Sequence, residues 1–387
     1  MALQNYLLSF VQRILIKDLT MKILTVANEK GGVGKTFLAT QYAFYCALQM
    51  GLRVAVIDLD QQANATTCLT EQNFAKKHEL SSFDLIAQDL SEQLSDEDFT
   101  KELEASGFWL FGADNRLALL ERQGDEAHGS FISAFEKNLN ALSSRFDVCI
   151  IDTNPSPDIR SNLGLLVCTH LIAPIQLNKE AIDGISRIVD RVNEIAEYNS
   201  NFPNAFLGML PNAIESNKFQ QKNAIDLTQN YGAMLICEKS YGFAAAKNDK
   251  GQLVPVIEDG NYKLVDREAP LGIKRRTCIA ESQAFGTPIW DSPNSADAWS
   301  ELRKVFFTIY ENMHITRLNS ASAEQLSILN ECASLYGKNS FKKIIRQFLM
   351  TGNARLLPRL SLEKANALRD LKKSISLDFL ANFTPSI

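Results

Sequence analysis

An apolar run at residues 23–27 leads straight into Glu29-Lys30-Gly31-Gly32-Val33-Gly34-Lys35-Thr36, and a helical pattern at 37–50 follows without a gap. This succession constrains the fold more than any other feature of the chain. Glycines let the backbone curl until successive N–H groups converge on one point. The helix that opens behind them adds partial positive charge at the same place. Such a loop is a cradle for phosphate oxygens, formed by Gly31, Gly32, Val33 and Gly34 with Lys35 and Thr36. Lys35 is placed to bridge neighbouring phosphates, and the Thr36 hydroxyl to ligate a hard cation. A chance glycine-rich turn would not also carry the Gly-Lys-Thr ending between a strand and a helix.

The rest of the chain repeats the strand–helix rhythm. Apolar runs at 53–58, 108–112, 148–152, 171–175 and 206–210 alternate with helical patterns such as 130–144 and 181–198. Buried strands alternating with helices predict an α/β fold of three layers, a P-loop NTPase fold with a mostly parallel central sheet. Two regions break the rhythm. Residues 238–272, mixed in charge and containing glycine and proline, read as an inserted loop or β-hairpin. Beyond 314 only helical patterns remain, at 323–336, 340–350 and 362–371. The expected organisation is an N-terminal extension (1–20), a P-loop domain (21–313) holding the 238–272 insertion, and a helical C-terminal appendage (314–387).

Acids stand at strand ends. The run Val54-Ala55-Val56-Ile57 closes in Asp58-Leu59-Asp60, and Val148-Cys149-Ile150-Ile151 closes in Asp152. In an open α/β sheet, ligands bind at that edge. Strand alternation puts Asp58 and Asp60 on one side. Asp152 has the Walker B arrangement and would accept hydrogen bonds from Mg-bound water.

The loop KGGVGKT carries an extra lysine, Lys30, ahead of the glycines. With Asp58-Leu59-Asp60-Gln61-Gln62-Ala63-Asn64-Ala65-Thr66 and Asp152-Thr153-Asn154-Pro155-Ser156, it resembles the deviant Walker A ATPases of the ParA/MinD superfamily, over residues 22–312. Gln61 and Asn154 replace prolines of that pattern. The resemblance implies ATP and Mg2+ as cofactors, with Asp60 orienting the attacking water and Asp58 helping to hold the Mg2+ shell. It implies an ATP-bound homodimer in which Lys30 reaches the partner's phosphates. Leu210-Pro211-Asn212 resembles the segment near the adenine, making Asn212 a base contact. Cys278 stands where chromosomal members often carry a DNA-binding arginine, while Arg275 and Arg276 lie just upstream, as in plasmid-type members. The implied function is DNA partition: non-specific DNA binding by the dimer, release on hydrolysis stimulated by a ParB-like centromere-binding partner, and a cytoplasmic, nucleoid-associated location. A MinD-like membrane-cycling or cargo-positioning ATPase shares these motifs. It needs a basic amphipathic C-terminal helix, and the last twelve residues, SLDFLANFTPSI, contain no Lys or Arg.

Composition narrows the partners. A net charge of −5 makes the whole chain a poor trap for DNA or acidic membrane, so DNA contact requires a local basic patch. Besides the two arginines, the tail supplies Lys338, Lys342, Lys343, Arg346, Arg355, Arg359, Lys364, Arg369, Lys372 and Lys373, opposed within 338–373 only by Glu363 and Asp370. No stretch reaches the roughly 18–20 apolar residues of a membrane span. The seven cysteines have no metal-ligand spacing and suit reduced thiols. With about 20 residues before the first strand, the N-terminal helix-turn-helix of larger plasmid members, and operator regulation with it, is not expected.

Overall fold

The computed structural model describes residues 21–104, 106–178, 185–198, 206–247, 253–258, 261–315, 323–337, 340–373, 380, 383 and 385. The N-terminal extension, residues 181–184 of the 181–198 helical pattern, and Lys338 lie outside the described residues. The chain divides into two compact units, Met1–Ile236 with Gly272–Trp299, and Cys237–Leu271 with Ser300–Ile387.

The first unit is built on seven strands: β1 (Lys22–Val26), β2 (Val54–Asp58), β3 (Lys76–Lys77), β4 (Phe108–Phe111), β5 (Val148–Asp152), β6 (His170–Ile175) and β7 (Phe206–Pro211). They pair in the order β3-β4-β2-β5-β1-β6-β7, parallel throughout. Every residue of β2, β4, β5 and β6 is buried, as expected of strands covered by helices on both faces. Each fully buried Val, Leu or Ile side chain contributes about 1.5–3 kcal/mol. The register decides where the chemistry sits. Val26 of β1 and Asp58 of β2 both stand level with Asp152 of β5. The loop after β1 and the two strand-end acids therefore share one edge of the sheet.

Helix α1 (Lys35–Phe44) continues as a π-helical turn at Tyr45–Gln49, where the 37–50 pattern predicts one uninterrupted helix. Met50 N–H donates to Tyr45 O at 2.9 Å, and Gly51, at φ 63°, ends the turn. Further helices of this unit are α2 (Asn64–Glu71), α3 (Asp125–Leu142), α4 (Ile159–Leu166), α5 (Lys218–Tyr231) and α6 (Thr277–Ala284).

The edge strand β3 is followed by His78, 3% exposed, whose ring lies 5.1–5.5 Å from those of Phe99, Trp109 and Phe111. Its Nδ1 accepts the Leu80 N–H at 2.9 Å. Burial pushes its pKa down. Glu102 and Glu79 oppose that shift, and Lys76 reinforces it. A His pKa depressed by folding stabilises the protein above the unfolded value of about 6.5, and that stability is lost as pH falls from there towards the folded value. Urea unfolding at pH 7.5 and 5.5 is expected to show a stability loss in wild type that shrinks in His78→Phe. An equal loss in both would rule His78 out as its source.

In the second unit, β8 (Cys237–Phe243) and β9 (Leu264–Pro270) pair antiparallel from Cys237↔Pro270 to Phe243↔Leu264. The segment read as an insertion thus forms an extended hairpin, in the same unit as the C-terminal helices α7 (Ala323–Tyr336), α8 (Phe341–Thr351) and α9 (Leu362–Arg369). Those helices close on a core that includes Phe307, Leu329, Cys332, Tyr336, Phe341, Phe348 and Leu368. The tail is less basic than its sequence suggests. Lys343 pairs with Asp266 at 3.2 Å, Lys364 with Glu331 at 2.6 Å, and Arg346 with Glu311. The neutralising acids come from outside residues 338–373, where a reading of the tail alone cannot find them.

Candidate active site

The loop between β1 and α1 is held open by its own carbonyls. Asn212 Nδ2 donates to Val33 O at 2.7 Å, Gln176 Nε2 to Gly32 O at 2.8 Å, and Lys35 Nζ to Lys30 O at 3.1 Å. In a trans peptide the C=O and the following N–H point opposite ways. Tying the carbonyls to the surroundings therefore turns the N–H groups of Gly31, Val33 and Gly34 towards the other side, as a phosphate cradle requires. Gly34 sits at φ 94°, and a Cβ there would fall 2.0 Å from Asn212 Nδ2. Only glycine fits. Val33 is fully buried and anchors the loop.

Asn212 is 8% exposed and wedged beneath the loop, its amide spent on Val33 O. The structure gives it the work of shaping the cradle. Gln176, on the segment leaving β6, and Asn28, which accepts from Lys30 N at 2.9 Å and donates to Pro174 O at 2.8 Å, share that work. Neither is singled out by the sequence motifs. A signal for both is present nonetheless, since each follows an apolar strand at the ligand-binding edge of the sheet.

Lys35 is 7% exposed. Burial lowers its pKa, and Asp152 and Asp60 act in the opposite direction. Thr36 Oγ1 donates to Asp152 Oδ2 at 2.8 Å, while Asp152 Oδ1 is buried with no hydrogen-bond partner. Burial raises the Asp152 pKa, helped by Asp58; Thr36 and Lys35 oppose it. An orphaned carboxylate oxygen beside a threonine hydroxyl is a hard-oxygen donor set, which fits Mg2+ and its coordinated water. Among the described residues no group of three or more His, Cys, Asp or Glu could hold a metal ion by itself. A Mg2+ at Thr36 would take its remaining oxygens from phosphates and water, as Mg2+ usually does.

Strand β2 ends at Asp58, Leu59 N–H still donates to Asp152 O at 2.9 Å, and the chain turns after Asp60, with Ala63 N–H donating to Asp60 O at 2.8 Å. Asp58 is fully buried. Its Oδ2 accepts Thr66 N and Thr66 Oγ1, at 2.8 and 2.7 Å, and its Oδ1 accepts Asp60 N at 3.1 Å. It ties the loop to α2. Burial raises its pKa against those bonds. Asp60 is half-buried at the rim, its Oδ1 accepting Gln62 N at 3.0 Å.

Lys30 is separate from Lys35: its Nζ lies on Asn178 Oδ1 at 2.9 Å, at the mouth of the loop. Arg275, 71% exposed in its side chain, pairs with Glu215 at 2.7 Å, and Arg276 immediately precedes α6. Both arginines are remote in sequence from the loop. Cys149 and Cys168 are buried, and burial pushes both thiols up, Cys168 to about 12. Both therefore remain thiols, as the scattered cysteine spacing suggests. No helix among the described residues is long and apolar enough to cross a membrane.

The sequence profile of a family described as an AAA domain matches residues 21–203. A protein IncC of Escherichia coli is 29% identical over 308 residues, covering 77% of this chain and 71% of that protein. A second IncC of E. coli is 32% identical over 232 residues, 57% of this chain and 58% of that one. Among solved structures, the ATP complex of a Cyanothece McdA variant superposes with a TM-score of 0.52 at 20% identity, over 78% of this chain and 99% of that one, which shows a shared fold. The loop geometry, the strand-end acids and these similarities converge: the chain is a P-loop ATPase that hydrolyses ATP with Mg2+, and it is similar to proteins of the ParA/MinD superfamily.

Proposed function

We propose that this ATPase is a ParA-type partition protein, whose ATP-bound homodimer holds DNA without sequence preference and releases it on hydrolysis. The observation that carries the reading is the separation of its two loop lysines. Lys35 lies inside the cradle, while Lys30 stands at the mouth on Asn178, where a second copy can receive it. In this reading Lys35 and the amides of Gly31–Thr36 hold the triphosphate, Thr36 and Asp152 meet the Mg2+, and Asp60 orients the water. Asp58 acts on the Mg2+ shell through the loop it braces, and Asn212 props the cradle from beneath. Each Lys30 completes the partner's site with positive charge, as an arginine finger does. A ParB-like protein stimulates turnover.

Arg275 and Arg276 are the DNA contacts of this reading. Phosphate must displace Glu215 from Arg275, so the site is weak in one copy and useful when a dimer presents two. DNA retention is expected with Mg-ATP and not with ADP or without nucleotide. The double change Arg275→Ala, Arg276→Ala should lower retention and flatten its salt dependence by about one unit of slope per lost phosphate contact. Retention indifferent to nucleotide, or unmoved by the double change, would remove DNA from the proposal. Liposome pelleting under the same conditions tests the MinD-like alternative.

A further inference from the structure

One buried charged residue has no task in that cycle. Arg160, at the start of α4, is 4% exposed. Its guanidinium grips Asp158: Nε lies 3.2 and 3.1 Å from Oδ1 and Oδ2, and Nη2 also bonds Oδ2. Its remaining nitrogen, Nη1, reaches Gln61 Oε1 at 3.3 Å. Glu121, after the short helix Leu117–Leu120, stands 3.8 Å from Nη2. Asp158 caps α4 by accepting the N–H groups of Arg160 and Ser161, and it also receives Asn154 Nδ2 at 2.7 Å. The path Gln61–Arg160–Asp158–Asn154 therefore joins the loop that follows Asp60 to the loop that follows Asp152.

Two further features set this path apart from ordinary packing. Asn154 is 3% exposed, and its Oδ1 is buried without a hydrogen-bond partner, a cost retained at the junction. Gln61 and Asn154 are also the two positions where this chain departs from proline in the pattern it resembles, and proline has no side-chain amide to make either contact. Burial raises the Asp158 carboxyl, but Arg160 and then Asn154 overcome that and hold it below the ordinary range. The pair is ionised and buried, a suitable anchor for an exposed side chain such as Gln61.

We infer that Arg160 is a positioning residue for ATP hydrolysis, fixing the Asp60 loop against the Asp152 loop through Gln61. The inference rests on the reading of Asp60 as the residue that orients the attacking water. A planar guanidinium serves this role because it can hold a carboxylate through two nitrogens and keep a third for a neutral acceptor. Losing the tether lets Asp60 wander relative to the metal side of the site. Such displacements cost rate and leave ground-state binding untouched.

The test is a variant series assayed for kcat and for Kd of a fluorescent ATP analogue with Mg2+. Arg160→Ala would leave Asp158 buried without its counter-ion and unsettle the fold, so the informative probes are gentler. Gln61→Ala keeps the Arg160–Asp158 pair. It is expected to lower kcat about 10- to 100-fold while Kd moves less than about twofold. Arg160→Lys keeps the charge but cannot hold both partners, and should give the same kcat loss. The double variant should lose no more than the worse single one, because both act along one path. Wild-type kcat in Gln61→Ala, or losses that add in the double variant, would overturn the inference. Asp60→Ala is the control: normal turnover there would sink the reading of Asp60, and no turnover in wild type would sink the ATPase reading itself.

Discussion

Lys35→Ala is expected to lower ATP turnover by at least about 10²–10³-fold, the usual cost of removing one preorganised electrostatic donor, and to abolish nucleotide-dependent thermal stabilisation. The side chain is already inside the cradle, 7% exposed and bonded to Lys30 O at 3.1 Å, so little reorganisation is needed to meet phosphate. Its desolvation is the source of its strength. Burial weakens the ammonium's hold on its proton, and an incoming phosphate restores the charge balance that Asp152 supplies only in part. Lys35→Arg keeps the charge but places a wider group where the loop has closed round an ammonium, so it should recover only part of the loss. Stopped-flow binding and steady-state turnover, measured together, separate the two effects. Unchanged turnover in Lys35→Ala would end the assignment of this loop as the catalytic phosphate site.

Lys30→Ala should behave differently, and the difference is diagnostic. Its ammonium rests on Asn178 at the loop mouth, so a single copy without it is expected to bind ATP normally. Turnover should nevertheless fall by about 10³–10⁵, the range for a finger residue supplied in trans, and the ATP-dependent dimer should vanish in light scattering. Mixing makes the argument sharper. Lys30→Ala and Asp60→Ala, each inactive alone, should regain activity together, because one mixed site would hold an intact Asp60 and receive an intact Lys30 from the other copy. If mixing recovers nothing while both variants fold and bind ATP, Lys30 acts within its own chain or not at all.

Much of this site is legible in the sequence because its parts are local. Glycines, lysine and threonine follow one another within eight residues, and their position between a strand and a helix is fixed by apolar periodicity. Asp58 and Asp152 are readable as strand ends, and the sheet brings them level as its parallel register dictates. What a local reading misses is what each carboxylate is bonded to. Asp58 stands at its strand end, and Thr66, eight residues on, claims its carboxylate. Gln176, Asn212 and Arg160 act through contacts across long stretches of chain. No periodicity encodes such contacts. The basic tail misleads for the same reason, since Asp266, Glu311 and Glu331 neutralise it from elsewhere.

The wedge of Asn212 beneath Gly34 carries an implication for how the enzyme matures. The two residues that define the contact, Val33 and Asn212, lie 179 positions apart. A nascent chain that has emerged only through Thr36 holds the whole phosphate motif yet lacks the prop that sets its curvature. Closing so long a segment is among the later events of folding. The binding of nucleotide would therefore report on completion of the far edge of the sheet, and truncated or half-made chains would not sequester ATP.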